Sequence, residues 1–295
     1  MRKLHFLKVI LLLSIIFPSC SKYFTYTIPT PPEIKIQEQQ NKIGFINKYD
    51  YTSLSFNKEN KNEVYVTAVQ HLISSLESSF NKDEYFNIVI LDTLRKGTSQ
   101  KDFLPQMNTN EVVGICDSAN IDLLLVLEYF DPDFLIETVT EEDDDGSTTR
   151  TNIVDLEVRA GFTLYDKSGT LIYREKSIRV MPYQSRPALV SFVAIGPSMG
   201  KAGKEVNTLS KEIGESYIQN FYPGNKKETA KIYTGEAFKK VEAYMNNENW
   251  EEAIELLLPM ANSTDSKISK KASHNLSIAY KASGNNSAYE YWKKK

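Results

Sequence analysis

The chain has 295 residues, with 35 Lys and Arg against 38 Asp and Glu, for a formal charge of −3. That balance leaves no electrostatic footprint for nucleic acid, so a nucleic-acid partner is not expected. With 41% hydrophobic and 25% charged residues, the composition is that of a soluble globular protein of one or two domains.

The first twenty residues, MRKLHFLKVILLLSIIFPSC, pair a basic start (Arg2, Lys3, Lys8) with an apolar run from Val9 to Phe17. That run is about half of the roughly 20 residues a membrane-spanning helix needs, so it reads as a secretory signal over residues 1–19. Ser19 supplies the small residue before a cleavage site and Cys20 follows it, which makes the segment resemble a bacterial lipoprotein signal. The resemblance implies lipid on Cys20, as its sulfur and amine are acylated in that family. Each buried CH₂ then contributes about 0.8 kcal/mol to membrane attachment. The only other cysteine is Cys116, so no internal disulfide is expected once Cys20 is lipidated. Cys116 lies in a short apolar segment and reads as a buried, unreactive thiol.

Residues 20–40 are polar and carry Pro29, Pro31 and Pro32, the composition of an extended lipidated tether. Strand, helix, strand, helix and strand then follow at 42–50, 63–80, 86–94, 110–119 and 121–130, the order expected of a parallel α/β layer. Residues 134–140, 152–166 and 170–183 alternate apolar and polar side chains, as antiparallel strands with one wet face do. Residues 185–221 read as mainly helical, interrupted by Gly196, Pro197 and Gly200. The expected fold class is therefore α/β with a mixed sheet over 41–233, followed by an all-α tail over 234–295.

Three short patterns bear on chemistry. Gly196–Gly200 fits the G-x-S-x-G nucleophile pattern with Ser198. Of the histidines, His5 leaves with the signal and His71 precedes the serine, so only His274 follows in hydrolase order. GPSMGKAG is one residue short of a phosphate loop and has Ala202 where that loop needs a hydroxyl. EEDDDG, residues 141–146, is a candidate calcium loop without alternating ligand spacing, and a solvated polar turn is the simpler reading. With no HExxH and no CxxC, no metal or other cofactor is expected.

AYMNNENWEEAIELLLPMA resembles a tetratricopeptide repeat, with Tyr244 at the aromatic position of its first helix, Trp250 and Leu257 on one face of the second, and Ala253 at the small position between. NLSIAYKASGNNSAYEYW resembles a second repeat, with Leu276, Tyr280 and Gly284 in family positions. Two repeats are fewer than the three or more that stand alone, so they are expected to pack on the α/β body.

The whole chain resembles a family of uncharacterised Bacteroidetes envelope lipoproteins, in which a domain of unknown function precedes tetratricopeptide repeats. The likeness lies at SKYFTYTIPTPPEI, at GESYIQNFYP (Gly214, Tyr217, Phe221, Pro223), at KIYTG (Tyr233) and at NWEEAIELL. By element order alone the α/β part also resembles curli-secretion-type accessory lipoproteins and TolB N-terminal domains. These likenesses imply a non-enzymatic envelope protein, anchored by lipid at Cys20, that binds an envelope protein partner. A hydrolase using Ser198 and a carbohydrate or small-ligand binder, which 17 Tyr, 14 Phe and 2 Trp permit, are the alternatives. Ser21 after Cys20, with no acid until Glu33, points to the periplasmic face of the outer membrane.

Overall fold

The computed structural model describes residues 21–50, 59–91, 102–142, 146–187 and 198–295. The chain divides into two compact units, one formed by residues 32–222 and the other by the N-terminal stretch to Pro31 together with Pro223–Lys295. This corrects the expected tether. Ser21–Thr30 is strand β1, hydrogen-bonded to residues 224–233. Its alternation of Phe24, Tyr26 and Ile28 presents one apolar face, which an unpaired linker has no reason to keep.

In the 32–222 unit, β2 (Lys42–Asn47), α1 (Glu59–Asn81), β3 (Asn87–Ile90), α2 (Thr109–Ala119) and β4 (Leu123–Glu142) follow in sequence. β5 (Thr148–Asp166), β6 (Leu171–Pro187) and α3 (Gly203–Tyr217) complete it. The five strands form one sheet in the order β3-β2-β4-β5-β6. β2 pairs in parallel with β3 and β4, while β4, β5 and β6 are antiparallel. The expected separate strands at 121–130 and 134–140 are one strand, β4, bent by a register shift between Leu127 and Tyr129. The expected helix over 185–221 reduces among the described residues to a turn at Met199–Lys201, α3, and a turn at Ile218–Phe221.

Alternating residues decide which face of the sheet is dry. Leu156, Val158, Ala160, Phe162 and Leu164 on β5 are fully buried under α1 and α3 with Ile43, Phe45, Leu123, Leu125 and Leu127. α1 contributes Ala68, Val69, Leu72, Leu76 and Phe80, and α3 contributes Val206, Leu209, Ile213 and Tyr217, both at helical spacing. On the opposite face α2 buries Val112, Ile115 and Cys116 against Ile46, Leu124, Val126 and Tyr165. α2 starts at Asn108, whose side chain accepts from the Asn110 amide, and ends at Asn120 in the left-handed conformation.

The second unit pairs β1 along its whole length with β7 (Gly224–Tyr233), antiparallel from Ser21↔Tyr233 to Thr30↔Gly224. Helices α4 (Lys239–Asn246), α5 (Trp250–Ala261), α6 (Ser266–Ala282) and α7 (Asn286–Trp292) follow. Phe24, Tyr26 and Ile232 share a core with Val241, Met245, Ala253, Leu257, Leu276 and Ala279. Ala253, Leu257 and Leu276 are fully buried, and Tyr244 and Tyr280 are half-buried. Trp250 is also only half-buried, because it opens α5 beside β1 and sets its ring edge-on to Phe24 and Tyr26, with centroids 6.2 and 6.3 Å away. Gly284 ends α6 at φ 81°, with its amide bonded to Lys281 O and the Asn285 amide to Tyr280 O.

Candidate functional site

The residues singled out in the sequence are distributed over the chain. Cys20 lies outside the described residues. Ser198 is exposed, makes no side-chain capping bond, and belongs to the 32–222 unit. His274 belongs to the other unit, where its Nε2 lies 2.7 Å from the Lys231 carbonyl. Of the acidic run, Glu141, Glu142 and Gly146 are described and Asp143–Asp145 are not. Among the described residues no cluster of three or more His, Cys, Asp or Glu is placed to hold a metal ion. Cys116 is buried on the inner face of α2, and that burial pushes its thiol up to about 11, so it carries no thiolate at neutral pH.

The feature that stands out is the outer half of the β4-β5-β6 ribbon. Near β2, the sheet face that α2 covers is also crossed by the segment 102–107. Glu128, almost fully buried, accepts from the Leu104 amide at 3.1 Å and pairs with Arg174 at 2.9 Å. Arg174 also donates to Leu104 O and Thr163 Oγ1, and its guanidinium stacks 4.7 Å from the Phe103 ring. The Tyr165 hydroxyl accepts from the Met107 amide, fixing the segment's other end.

Beyond this segment the same face meets solvent. Here β5 presents Ile153, Asp155, Glu157 and Arg159, while Leu135 pairs opposite Asp155, Val180 opposite Glu157 and Ile178 opposite Arg159. Leu135 (44% exposed), Ile153 (39%), Ile178 (41%) and Val180 (48%) are thus large apolar side chains on one face of three adjoining strands. Arg159 stands among acids, 2.7 Å from buried Asp131, 3.2 Å from Glu157 and 3.5 Å from Asp133. The face therefore mixes exposed aliphatic groups with an excess of carboxylate, a surface complementary to a partner carrying basic and apolar side chains.

These strands and their wet side are legible in the sequence, whereas this face is not. The available signal was the placement of Ile178 and Val180 at positions that alternate with residues facing the dry core.

A family model described as a domain of unknown function, DUF8603, matches residues 39–233, ending at the last residue of β7. No curated protein matches the chain. Among solved structures, the PelC dodecamer from Paraburkholderia phytofirmans aligns at 10% identity over 68% of this chain and 98% of its own, with a TM-score of 0.24. A minor lipoprotein from Acinetobacter baumannii aligns at 9% identity over 61% of this chain and 88% of its own, with a TM-score of 0.25. The chain belongs to the DUF8603 family of unknown function.

Proposed function

We propose that this chain is a lipid-anchored, non-enzymatic protein of the bacterial cell envelope that holds a protein partner on the outer face of its β4-β5-β6 ribbon. The observation that carries the reading is the exposed set Leu135, Ile153, Ile178 and Val180 on three adjoining strands. Isolated surface aliphatics need no explanation, but a set on one sheet face marks a surface for association. The signal ending in Cys20 and the resemblance to Bacteroidetes envelope lipoproteins with tetratricopeptide repeats support the anchor. The absence of acids between Cys20 and Glu33 supports the periplasmic side of the outer membrane. Among the described residues no helix is long and apolar enough to cross a membrane, and lipid on Cys20 supplies the attachment.

Crosslinking in intact cells, followed by isolation from detergent-solubilised membranes, tests the reading with wild type and an Ile153→Asp, Val180→Asp variant. A partner captured by wild type and lost by the folded variant is the expected result. Equal capture by both, or a variant as functional as wild type in a deletion strain, overturns it.

A further inference from the structure

The β1–β7 unit carries a second surface, independent of the ribbon. An open cleft of about 360 Å³ runs between β7 and the helices α6 and α7. Its apolar lining is Tyr26, Ile278, Tyr289 and Trp292, and its charged lining includes Lys270, Lys281 and Lys293 against the single acid Glu228. Lys281 is neutralised there, since its Nζ lies 2.5 Å from Glu228 Oε2. Lys270 and Lys293 have no carboxylate within ion-pair distance among the described residues. The cleft is thus net positive with an aromatic floor.

Its strand wall is also unpaired. In an antiparallel pair every second residue turns both its N–H and its C=O away from the partner strand. On β7 these are the odd-numbered positions. The Tyr233 amide and carbonyl are bonded by the Asn275 side chain, and the Lys231 carbonyl by His274, both on α6. The side-chain contact of Thr25 with Thr229, its register partner, is 2.9 Å, as expected where the strands carry no bond between them. By the same alternation the backbones of Lys227 and Thr229 face outward, on either side of Glu228, whose side chain Lys281 of α6 holds. No described residue bonds to them.

We propose that this cleft takes an extended acidic peptide segment, which adds as a strand to the outer edge of β7 at Lys227 and Thr229 and sets its carboxylates against Lys270 and Lys293. Strand addition supplies affinity through main-chain bonds and leaves specificity to the side-chain pockets. Here the pocket selects for negative charge, and the Tyr289 and Trp292 rings cover apolar groups between the carboxylates.

Fluorescence anisotropy of the full chain in detergent micelles, with a labelled heptapeptide of alternating glutamate and valine, provides the test. A lysine–valine peptide, and the glutamate peptide N-methylated at alternate residues, are the controls. The acidic peptide is expected to bind about tenfold or more tighter than either control, because one reverses the charge and the other removes the strand bonds. Lys270→Glu with Lys293→Glu, both at exposed positions, should cost about tenfold in affinity for it. Thr229→Pro removes an outward N–H without breaking the β1–β7 ladder and should weaken binding too. Equal binding of the acidic and basic peptides, or affinity unmoved by the lysine reversals, overturns the proposal. So does capture of phosphatidylglycerol vesicles through the same lysines without any peptide binding, which would assign the cleft to a lipid headgroup.

Discussion

Gly214 of α3 sits directly against Leu72 of α1: a β-carbon built on it would fall 2.3 Å from the Leu72 carbonyl oxygen and equally close to Ser75 Oγ. The Ser75 hydroxyl lies 3.0 Å from both Leu72 O and Lys211 O, sharing its one proton between carbonyls of α1 and α3, so the crossing is also tied by polar contacts. Away from tertiary contact, Gly→Ala in a helix gains up to about 1 kcal/mol. At this crossing the steric cost dominates, because backbone atoms cannot rotate out of the way as side-chain ends can. Gly214→Ala is expected to destabilise by about 2–3 kcal/mol through forced separation of α1 and α3. A midpoint at or above wild type in chemical denaturation would show that the helices do not approach so closely.

Glu248 and Gly284 occupy equivalent positions. Each follows a helix, α4 or α6, in the left-handed conformation, at φ 57° and 81°. At both, the next residue's amide returns to the helix, Asn249 to Tyr244 O and Asn285 to Tyr280 O. A glutamate pays a backbone strain there that glycine does not. Glu248→Gly should therefore stabilise the helical unit by a few tenths to about 1 kcal/mol, whereas Gly284→Ala should destabilise it by about 1 kcal/mol. Thermal unfolding of the two variants checks both signs.

The spacing of these two turns was visible in the sequence through Tyr244, Tyr280 and Gly284, and so was the β2-α1-β3-α2-β4 order, because continuous apolar runs and helical spacing are local signals. The β1–β7 pair was not visible. Its strands lie about 200 residues apart in the chain, β1 is flanked by prolines, and β7 (GNKKETAKIY) is mostly polar. Only the alternation of Phe24, Tyr26 and Ile28 betrays it. The cleft was half legible: Lys270, His274, Ser277 and Lys281 recur at helical spacing on α6, but Lys293 joins them only through the turn at Gly284.

The Glu128–Arg174 pair is asymmetric in burial, with 1% and 24% of the two side chains exposed. Removing the arginine leaves a carboxylate in the sheet with, among the described residues, only the Leu104 amide to satisfy it. Arg174→Met should cost about 3–5 kcal/mol, the usual penalty for stranding one member of a buried pair. Removing both charges with Glu128→Gln and Arg174→Met together should cost less than Arg174→Met alone. Denaturation of the single and double variants separates the two cases, and equal losses would mean the pair is not the source of the cost.

Asp83, just after α1, gives the fold an acid-sensitive contact. Burial pushes its carboxyl upward, but bonds from the Tyr222 hydroxyl at 2.7 Å and from the Tyr85 and Phe86 amides outweigh this and hold it below its ordinary value. The folded state therefore binds this proton less readily than the unfolded chain does. The stabilisation is complete above the ordinary carboxylate value of about 4 and is lost as pH falls through the lower folded value. Asp83→Ala should cost about 1–2 kcal/mol at neutral pH, from the lost charge-assisted bonds, and progressively less toward strong acid. A cost that stays constant with pH would rule out the charged form as the acceptor.

The pairing of β1 sharpens what lipid on Cys20 would do. A loose tether of twenty residues could carry the body up to about 70 Å from the bilayer. With Ser21 already paired to Tyr233, and Lys22 2.6 Å from Glu242, the β1–β7 ladder begins at the residue that follows Cys20 in sequence. Fatty-acid labelling should be lost in Cys20→Ala, since the sulfur that carries the acyl group is gone. In wild-type protein reconstituted into vesicles, trypsin should cut slowly after Lys22, because cleavage requires an extended segment free of its neighbours and this one is held in a ladder. Lys22→Ala should not alter vesicle retention, whereas Tyr26→Asp, which puts a charge into the β1 core, should open the strand and release a tryptic body. Rapid release of the wild-type body by cleavage within 21–30 would return that segment to the role of a tether.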